Sequence, residues 1–257
     1  MPIDPLTVCI TSGKGGVGKT SLTVNLAMSI IKQGKKVLII DGDLGLANVD
    51  LFIGLTPKLS LRDVVQHGYD PKDCLSFPRK GLGVLPAASG VPEMVSLGPK
   101  EQQRLEGYFS RIFKSFDVIL IDTAAGIGMS VIWFNTFVRN NLIVITPEPT
   151  SITDAYALIK VLSKKFKRTH FQIVVNMAEN DKESKIVFGQ FKKVAENFLG
   201  VNLEYIGGLN VNPIVSKAVR KQQPFFESAP QTGISNSLKK IAFKIMALAN
   251  EPQIKIA

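Results

Sequence analysis

The sequence reads Gly13-Lys14-Gly15-Gly16-Val17-Gly18-Lys19-Thr20 directly after its first apolar run, and this stretch decides the fold. It fits the phosphate-loop pattern G-x-x-x-x-G-K-[ST], and it carries a second lysine, Lys14, inside the loop. The apolar run Leu6–Ile10 before it predicts a strand, and the apolar spacing from Lys19 to about Lys32 predicts a helix. The alternative is a glycine-rich turn that binds no ligand, but the motif stands in the strand–loop–helix setting that phosphate binding requires.

Each residue type in this stretch suits phosphate binding. Glycines let the backbone turn tightly and aim its N–H groups at phosphate oxygens, and the N-terminus of the next helix adds a partial positive charge. Lys19 is predicted to contact the β- and γ-phosphates, and the Thr20 hydroxyl is predicted to bind Mg²⁺. The sequence therefore predicts a nucleotide site built from consecutive residues: Gly13, Lys14, Gly15, Gly16, Val17, Gly18, Lys19, Thr20 and Ser21.

The composition is that of a globular protein without membrane-spanning segments. The chain has 257 residues, of which 45% are hydrophobic and 20% charged, and this length predicts a single domain over residues 1–257. No apolar run is long enough to span a membrane, and the N-terminal residues lack the pattern of a signal peptide. We therefore expect a cytoplasmic protein whose two cysteines, Cys9 in a strand and Cys74 in a polar loop, are reduced.

The net charge of +10 is concentrated beyond residue 150. Lysines and arginines cluster there in residues 164–168, 182–193, 217–221 and 239–244. Such a surface attracts nucleic acid, anionic lipid or an acidic partner, and the alternative is a set of solvated helix faces. Aromatic residues are not interleaved with these clusters as stacking on bases would require.

Apolar runs and helical patterns alternate along the chain, which predicts an α/β fold. Near-continuous apolar strands favour a doubly wound, mostly parallel sheet with helices on both faces. Six prolines between residues 55 and 100 predict a loop-rich region. Strands after the first are predicted at 37–40, 84–85, 118–121, 142–145, 173–175 and 205–206, and long helices at 100–114, 151–167, 183–199 and 236–249.

Ligands bind at the carboxyl ends of the strands in such a sheet. Asp122 follows the run Val118–Ile121 and is predicted to lie on the Mg²⁺ side of a bound triphosphate, with a helix N-cap as the alternative. Gly126 could donate its N–H to a γ-phosphate. Asn176 follows another predicted strand, where its amide could bind an adenine edge or form a turn.

Asp41 and Asp43 stand two residues apart at the end of the second predicted strand. One is expected to stabilise the Mg²⁺ shell and the other to orient the attacking water, because two carboxylates beside a triphosphate require a cation. Either could instead be a turn-forming residue in Asp-Gly-Asp. The predicted metal-binding set comprises Thr20, Asp41, Asp43 and Asp122.

Three segments resemble the MinD/ParA ATPases: the deviant phosphate loop 12–20, the first switch 41–50 and the second switch 122–127. The resemblance implies ATP and Mg²⁺ as ligands, with Lys14, Lys19 and Asp43 as catalytic residues. Lys14 then reaches across an ATP-sandwiched homodimer to the partner's nucleotide. Asp43 positions the hydrolytic water, and Asn48 contacts the nucleotide site across the dimer.

Four further segments resemble the flagellar branch of that family, the FlhG/FleN/YlxH proteins: residues 45–50, 85–90, 147–160 and 217–224. The resemblance implies a cytoplasmic ATPase, peripheral at the inner membrane or a cell pole, that controls flagellar number and placement. The partners it implies are an FlhF-type GTPase, a flagellar transcription activator or C-ring proteins.

Three alternatives lie in other functional classes. A DNA-partitioning ATPase would use the basic second half of the chain, and a division-site ATPase would bind a membrane surface through the apolar stripe of residues 234–248 beside its lysines. An iron–sulfur carrier would need exposed cysteines that share a cluster. We interpret residues 236–249 as the last core helix, and expect neither a separate N-terminal activator segment nor a C-terminal membrane-targeting helix.

Overall fold

The computed structural model describes residues 4–45, 47–87 and 98–250. Eight strands in these ranges form one sheet. They are β1 (Leu6–Ser12), β2 (Val37–Gly42), β3 (Ser76–Arg79), β4 (Leu82–Leu85), β5 (Val118–Ala125), β6 (Asn140–Ile145), β7 (His170–Ala178) and β8 (Asn202–Asn210). Their order is β3-β4-β2-β5-β1-β6-β7-β8, so the chain starts in the middle of the sheet and winds outward in both directions.

Among the described strands, every neighbouring pair is parallel except β3 with β4. This confirms the predicted doubly wound, mostly parallel sheet, and each strand predicted from an apolar run is present. The sequence pattern does not predict β3, because a strand of four residues that contains Pro78 has a weak signal.

Helices cover both faces of the sheet, as predicted. The four long predicted helices are confirmed with ends shifted by a few residues, whereas the shorter ones carry too few turns to give a clear period. The helices of the described ranges are α1 (Lys19–Ile31), α2 (Val49–Ile53), α3 (Leu61–His67), α4 (Pro99–Phe113), α5 (Met129–Phe137), α6 (Pro149–Phe166), α7 (Asp181–Leu199), α8 (Pro213–Arg220), α9 (Phe225–Ser228) and α10 (Gly233–Ala247).

The core lies on both sides of the sheet. On one face, α1 packs with α2, α9 and α10 against the central strands, so it is buried around most of its circumference. On the other face, α3, α4 and α5 cover β2, β4 and β5, while α6 and α7 cover β6 to β8. Burial from several sides hides the single apolar face that the sequence predicts for α1.

The apolar stripe of α10 belongs to this core. Ile234, Leu238, Ile241 and Ile245 are each at most 6% exposed. The prediction of a last core helix is therefore confirmed, and the stripe does not provide a membrane-binding surface. No helix in the described ranges combines the length and apolar character needed to cross a bilayer.

Residues 55–100 hold more regular structure than their prolines predict. This region contributes α3, β3 and β4, and residues 88–97 lie outside the described ranges together with part of the segment 85–90. Cys74 lies in the turn before β3, as predicted, but its side chain is only 2% exposed and belongs to the core beside α3. Burial raises the pKa of its thiol to about 11.

Both edges of the sheet carry polar contacts that reduce their capacity to pair with another strand. At the β3 edge, Pro78 has no N–H group, and Arg79 donates through Nε and Nη2 to the carboxylate of Glu227 at 2.7 and 3.0 Å. At the β8 edge, the Lys244 ammonium donates to the backbone carbonyl of Tyr205 at 2.8 Å.

Candidate functional site

The phosphate loop joins β1 to α1 along a backbone path that requires glycine. Gly16 and Gly18 have φ values of 78° and 89°, in the left-handed region. A Cβ atom at Gly13 would lie 2.1 Å from the carbonyl carbon of Asp154 in α6. The start of α6 therefore packs directly on the loop and fixes its position.

Gly13→Ala is expected to destabilise the nucleotide-free chain by about 1–3 kcal/mol, because the new methyl group must displace backbone rather than a flexible side chain. In a chain of this size that lowers the melting temperature by roughly 2–12 °C. The matched control is Gly15→Ala, whose Cβ would lie 4.0 Å from that of Ala125. Thermal unfolding followed by circular dichroism measures both, and equal melting temperatures for the two variants would refute the packing argument.

Lys19 lies at the base of the loop and is 8% exposed. Its ammonium donates to the Ser12 hydroxyl at 2.8 Å, and that hydroxyl donates to the carbonyl of Lys14 at 2.6 Å. Burial lowers the pKa of Lys19, while the charges of Asp122 and Asp43 raise it. The structure thus places a cation where the sequence predicts the phosphate contact.

Asp122 is joined to the start of α1 by two hydroxyls. Thr20 Oγ1 donates to its Oδ2 at 2.7 Å, and Thr23 Oγ1 donates to its Oδ1 at 3.0 Å. Asp122 lies inside β5 rather than after it and caps no helix, so the N-cap alternative is wrong. Burial raises its pKa to about 6, and the two hydroxyl contacts and Lys19 oppose that rise.

The Thr20–Asp122 pair fits a Mg²⁺ ion that is bound together with phosphate. Mg²⁺ takes oxygen ligands and is usually held by one or two carboxylates plus substrate phosphates and water. In the described part of the chain, no group of three or more His, Cys, Asp or Glu side chains could hold a metal by itself. This donor set therefore suits a metal that arrives with a nucleotide.

Asp41 anchors the loop that follows β2. Its Oδ1 accepts from the N–H of Asp43 at 3.1 Å, and its Oδ2 accepts from the N–H groups of Asn48 and Val49 at 3.0 and 3.1 Å. Burial raises its pKa to about 8, and the charge of Asp122, its partner in the β2–β5 register, adds to the rise. These contacts favour the turn interpretation of Asp41 over the predicted metal contact, since both oxygens already face backbone N–H groups.

Asp43 and Asn48 stand at the two ends of this anchored loop. The negative charge of Asp43 affects the pKa values of Lys19 and Asp122, so its carboxylate lies near the residues of the phosphate site. Asn48 directly precedes α2. Leu46, between them, lies outside the described residues. The structure thus brings both predicted switch residues to the carboxyl edge of the sheet.

Lys14 contacts residues of its own chain. Its ammonium forms an ion pair with Glu148 and donates to the Thr150 hydroxyl at 2.9 Å, both at the start of α6. The Lys14 side chain is 35% exposed and that of Glu148 is 60% exposed. Sequence reasoning gave Glu148 no role, because a contact across 134 positions has no local signal.

Gly126 ties the end of β5 to β1. It has a φ of 95°, and its N–H donates to the Ser12 carbonyl at 2.9 Å. The β1–β5 register shifts at the same point, after the pair of Ile10 with Asp122. The N–H that the sequence assigns to a γ-phosphate is thus bonded to the phosphate loop itself.

An apolar cavity of about 380 Å³ opens beside the phosphate loop. Asn176 stands at its edge and donates its amide to the Val17 carbonyl at 2.8 Å, so it braces the loop. The next residue, Met177, has a φ of 57°. Sequence reasoning did not find the cavity, because distant segments build its walls, among them Phe52, Leu209, Val215 and Phe225.

A phosphate loop after the central strand of a doubly wound sheet, with aspartates near the ends of β5 and β2, the next two strands on one side of it, defines a phosphate-loop NTPase. A family model described as ParA, NUBPL iron-transfer P-loop NTPase, matches residues 6–246. The chain belongs to the ParA/MinD family of P-loop ATPases and binds nucleotide.

The comparisons also confirm the predicted resemblance to the flagellar branch. Antiactivator FleN of Pseudomonas aeruginosa is 43% identical over 93% of this chain and 85% of its own length. Flagellum site-determining protein YlxH of Helicobacter pylori is 32% identical, over 91% of this chain and 80% of its own. A chain of the MinC:MinD cell division protein complex of Aquifex aeolicus superposes with a TM-score of 0.75 at 27% identity and covers 98% of each chain.

The cysteines do not fit a shared iron–sulfur cluster. Cys9 is fully buried inside β1, and Cys74 is 2% exposed in the core. Burial raises the pKa of both thiols, which disfavours the thiolate that metal binding requires. The iron–sulfur alternative lacks the exposed cysteines it needs.

Proposed function

We propose that this ATPase is an ATP-dependent dimerisation switch that regulates the number and placement of bacterial flagella. Hydrolysis is slow, and the useful output is the conformational state that partners recognise. The observation that carries the switch is the surface around the nucleotide site. Exposed apolar side chains follow β2 and β5 at the edge of the sheet that carries the phosphate loop, and this loop holds the second lysine, Lys14.

The apolar surface lies at the carboxyl edge of the sheet. Leu51 in α2 is 51% exposed, and Ile127 and Met129, after the neighbouring strand β5, are 55% and 61% exposed. Large apolar side chains grouped at one edge favour a covering partner. A second copy of the chain, related by a two-fold axis, would cover the same surface on both subunits.

Each residue of the site has a separate role in the proposed hydrolysis of ATP. Lys19 and the loop N–H groups bind the phosphates, and Asp43 orients the attacking water. A Mg²⁺ ion held by Thr20 and Asp122 would neutralise charge on the phosphate oxygens. Lys14 acts across the dimer and stabilises the transition state on the partner's nucleotide. Asn48, in the first switch, contacts the partner's nucleotide site across the dimer.

The flagellar role is supported by the names of the relatives, an antiactivator and a flagellum site-determining protein. An FlhF-type GTPase, a flagellar transcription activator or C-ring proteins would read the ATP-bound dimer. The switch would act in the cytoplasm and locate at a cell pole or at the inner membrane surface through those contacts.

The solution mass tests the switch. We expect a monomer with ADP·Mg²⁺ and a dimer with a non-hydrolysable ATP analogue and Mg²⁺, because only the γ-phosphate gives Lys14 a partner across the interface. Light scattering coupled to size exclusion gives both masses. Removal of Mg²⁺ by a chelator is the matched control and should return the monomer. One mass under every nucleotide condition would rule out the ATP sandwich.

A further inference from the structure

We propose that Phe52 of α2 contacts the nucleotide base and makes the loop of Asp43 respond to the base as well as to the phosphates. Phe52 is then a positioning residue for hydrolysis. This inference rests on the proposed function, because it requires a nucleoside triphosphate bound on the phosphate loop.

The apolar cavity lies where the base of a bound nucleotide would lie. Gly18 and Ser21 form the end of the cavity next to the phosphate loop, and the remaining walls are mostly apolar. A triphosphate on the loop would direct its nucleoside into this space. A purine has flat apolar faces, and aromatic rings stack on such faces with favourable geometry. Phe52 is the aromatic wall that lies in α2, the helix that begins at the end of the first switch.

The helix α2, which bears Phe52, is packed firmly against the core. Val49 and Ile53 of this short helix are buried against α1, and Phe52 is partly buried between the core and the cavity. The helix therefore cannot turn Phe52 without moving its neighbours. A base that stacks on this ring would fix the helix in one position.

The start of α2 is bonded to the same carboxylate as the loop of Asp43. The N–H groups of Asn48 and Val49, at the start of α2, bond to the buried carboxylate of Asp41. The same carboxylate accepts from the N–H of Asp43. One anchor thus holds both the helix that bears Phe52 and the predicted water-positioning residue. Contiguous contacts of this kind couple two sites when the element between them has two arrangements.

The experiment compares ATP with inorganic tripolyphosphate, which carries phosphates but no base. Affinities of both ligands with Mg²⁺ are measured by calorimetry for the wild type, Phe52→Ala and Phe52→Leu. Hydrogen–deuterium exchange of residues 43–55 reports the loop and α2. The matched control is Phe77→Ala, which removes a 65% exposed phenylalanine on β3.

We expect Phe52→Ala to weaken ATP about tenfold, which corresponds to about 1.4 kcal/mol, and to leave tripolyphosphate unchanged. ATP should slow exchange of residues 43–55 in the wild type more than tripolyphosphate does, and saturating ATP should protect these residues in Phe52→Ala no more than tripolyphosphate does. Phe52→Leu keeps an apolar side chain at this position but loses the flat ring, so it should lose most of the same ATP affinity. Phe77→Ala should change none of these values.

Three results would overturn the proposal: equal loss of affinity for both ligands in Phe52→Leu, unchanged ATP affinity in both variants, or full ATP protection of residues 43–55 in Phe52→Ala. A wild type that binds ATP no more tightly than tripolyphosphate would also overturn it. These results can be told apart from a failure of the dimerisation switch alone. In that case the chain would stay monomeric with ATP but would still bind ATP more tightly than tripolyphosphate.

Discussion

Asp43→Ala is expected to lower the ATP turnover number by about 100-fold or more, the range for loss of a positioned acid–base group, while ATP-driven dimer formation persists. Asp43 follows β2, its N–H is fixed to Asp41, and its charge acts on Lys19 and Asp122. In the proposed mechanism its carboxylate orients a water and does not hold the phosphates. Removing it should slow the chemical step and spare binding.

Single-turnover phosphate release and solution mass separate these two effects. The matched control is Asp73→Ala, which removes an exposed carboxylate from the turn before Cys74 and should leave both values unchanged. Normal hydrolysis by Asp43→Ala would mean that another group positions the water. Loss of the dimer in that variant would instead assign Asp43 to the interface.

Lys14→Ala is expected to lower hydrolysis about 1,000-fold, the lower end of the range for a cation supplied in trans, and to reduce ATP-driven dimer formation in parallel. The lysine must first leave its own Glu148 and Thr150. An exposed ion pair of this kind contributes about 0–1 kcal/mol, and a 1,000-fold effect corresponds to about 4 kcal/mol. On these figures the proposed contact with the partner's phosphates would outweigh the internal contact.

Two further variants test whether the effect of Lys14→Ala is specific to Lys14. Lys58→Ala removes an exposed lysine after α2 and should leave hydrolysis and dimer formation unchanged. Glu148→Gln weakens the internal ion pair, so it should strengthen dimer formation modestly, by about fivefold or less for a surface pair. Retention of both activities by Lys14→Ala would exclude its action across the interface.

The sequence predicts the features of this fold that have a local physical signal. The glycines of the phosphate loop are required by left-handed φ values at Gly16 and Gly18, and long apolar runs mark the buried strands. The strand β3 escapes prediction because it has four residues and a proline. The helix α2 escapes because five residues complete little more than one turn.

The site is predicted in its residues but not in their contacts. Asp-Gly-Asp contains two carboxylates, and only the tertiary structure decides that Asp41 turns back to the loop. The pairing of Lys14 with Glu148 depends on how α6 packs on the loop, far away along the chain. The walls of the apolar cavity come from segments that only the folded sheet brings together.

The polar contacts at the edges of the sheet have a consequence for how this protein behaves at high concentration. An open strand is a template on which further chains can add without limit and form fibres. Pro78 withholds a donor on one side, and Lys244 occupies the Tyr205 carbonyl on the other. Both features lower the tendency of crowded molecules to add to these edges as further strands.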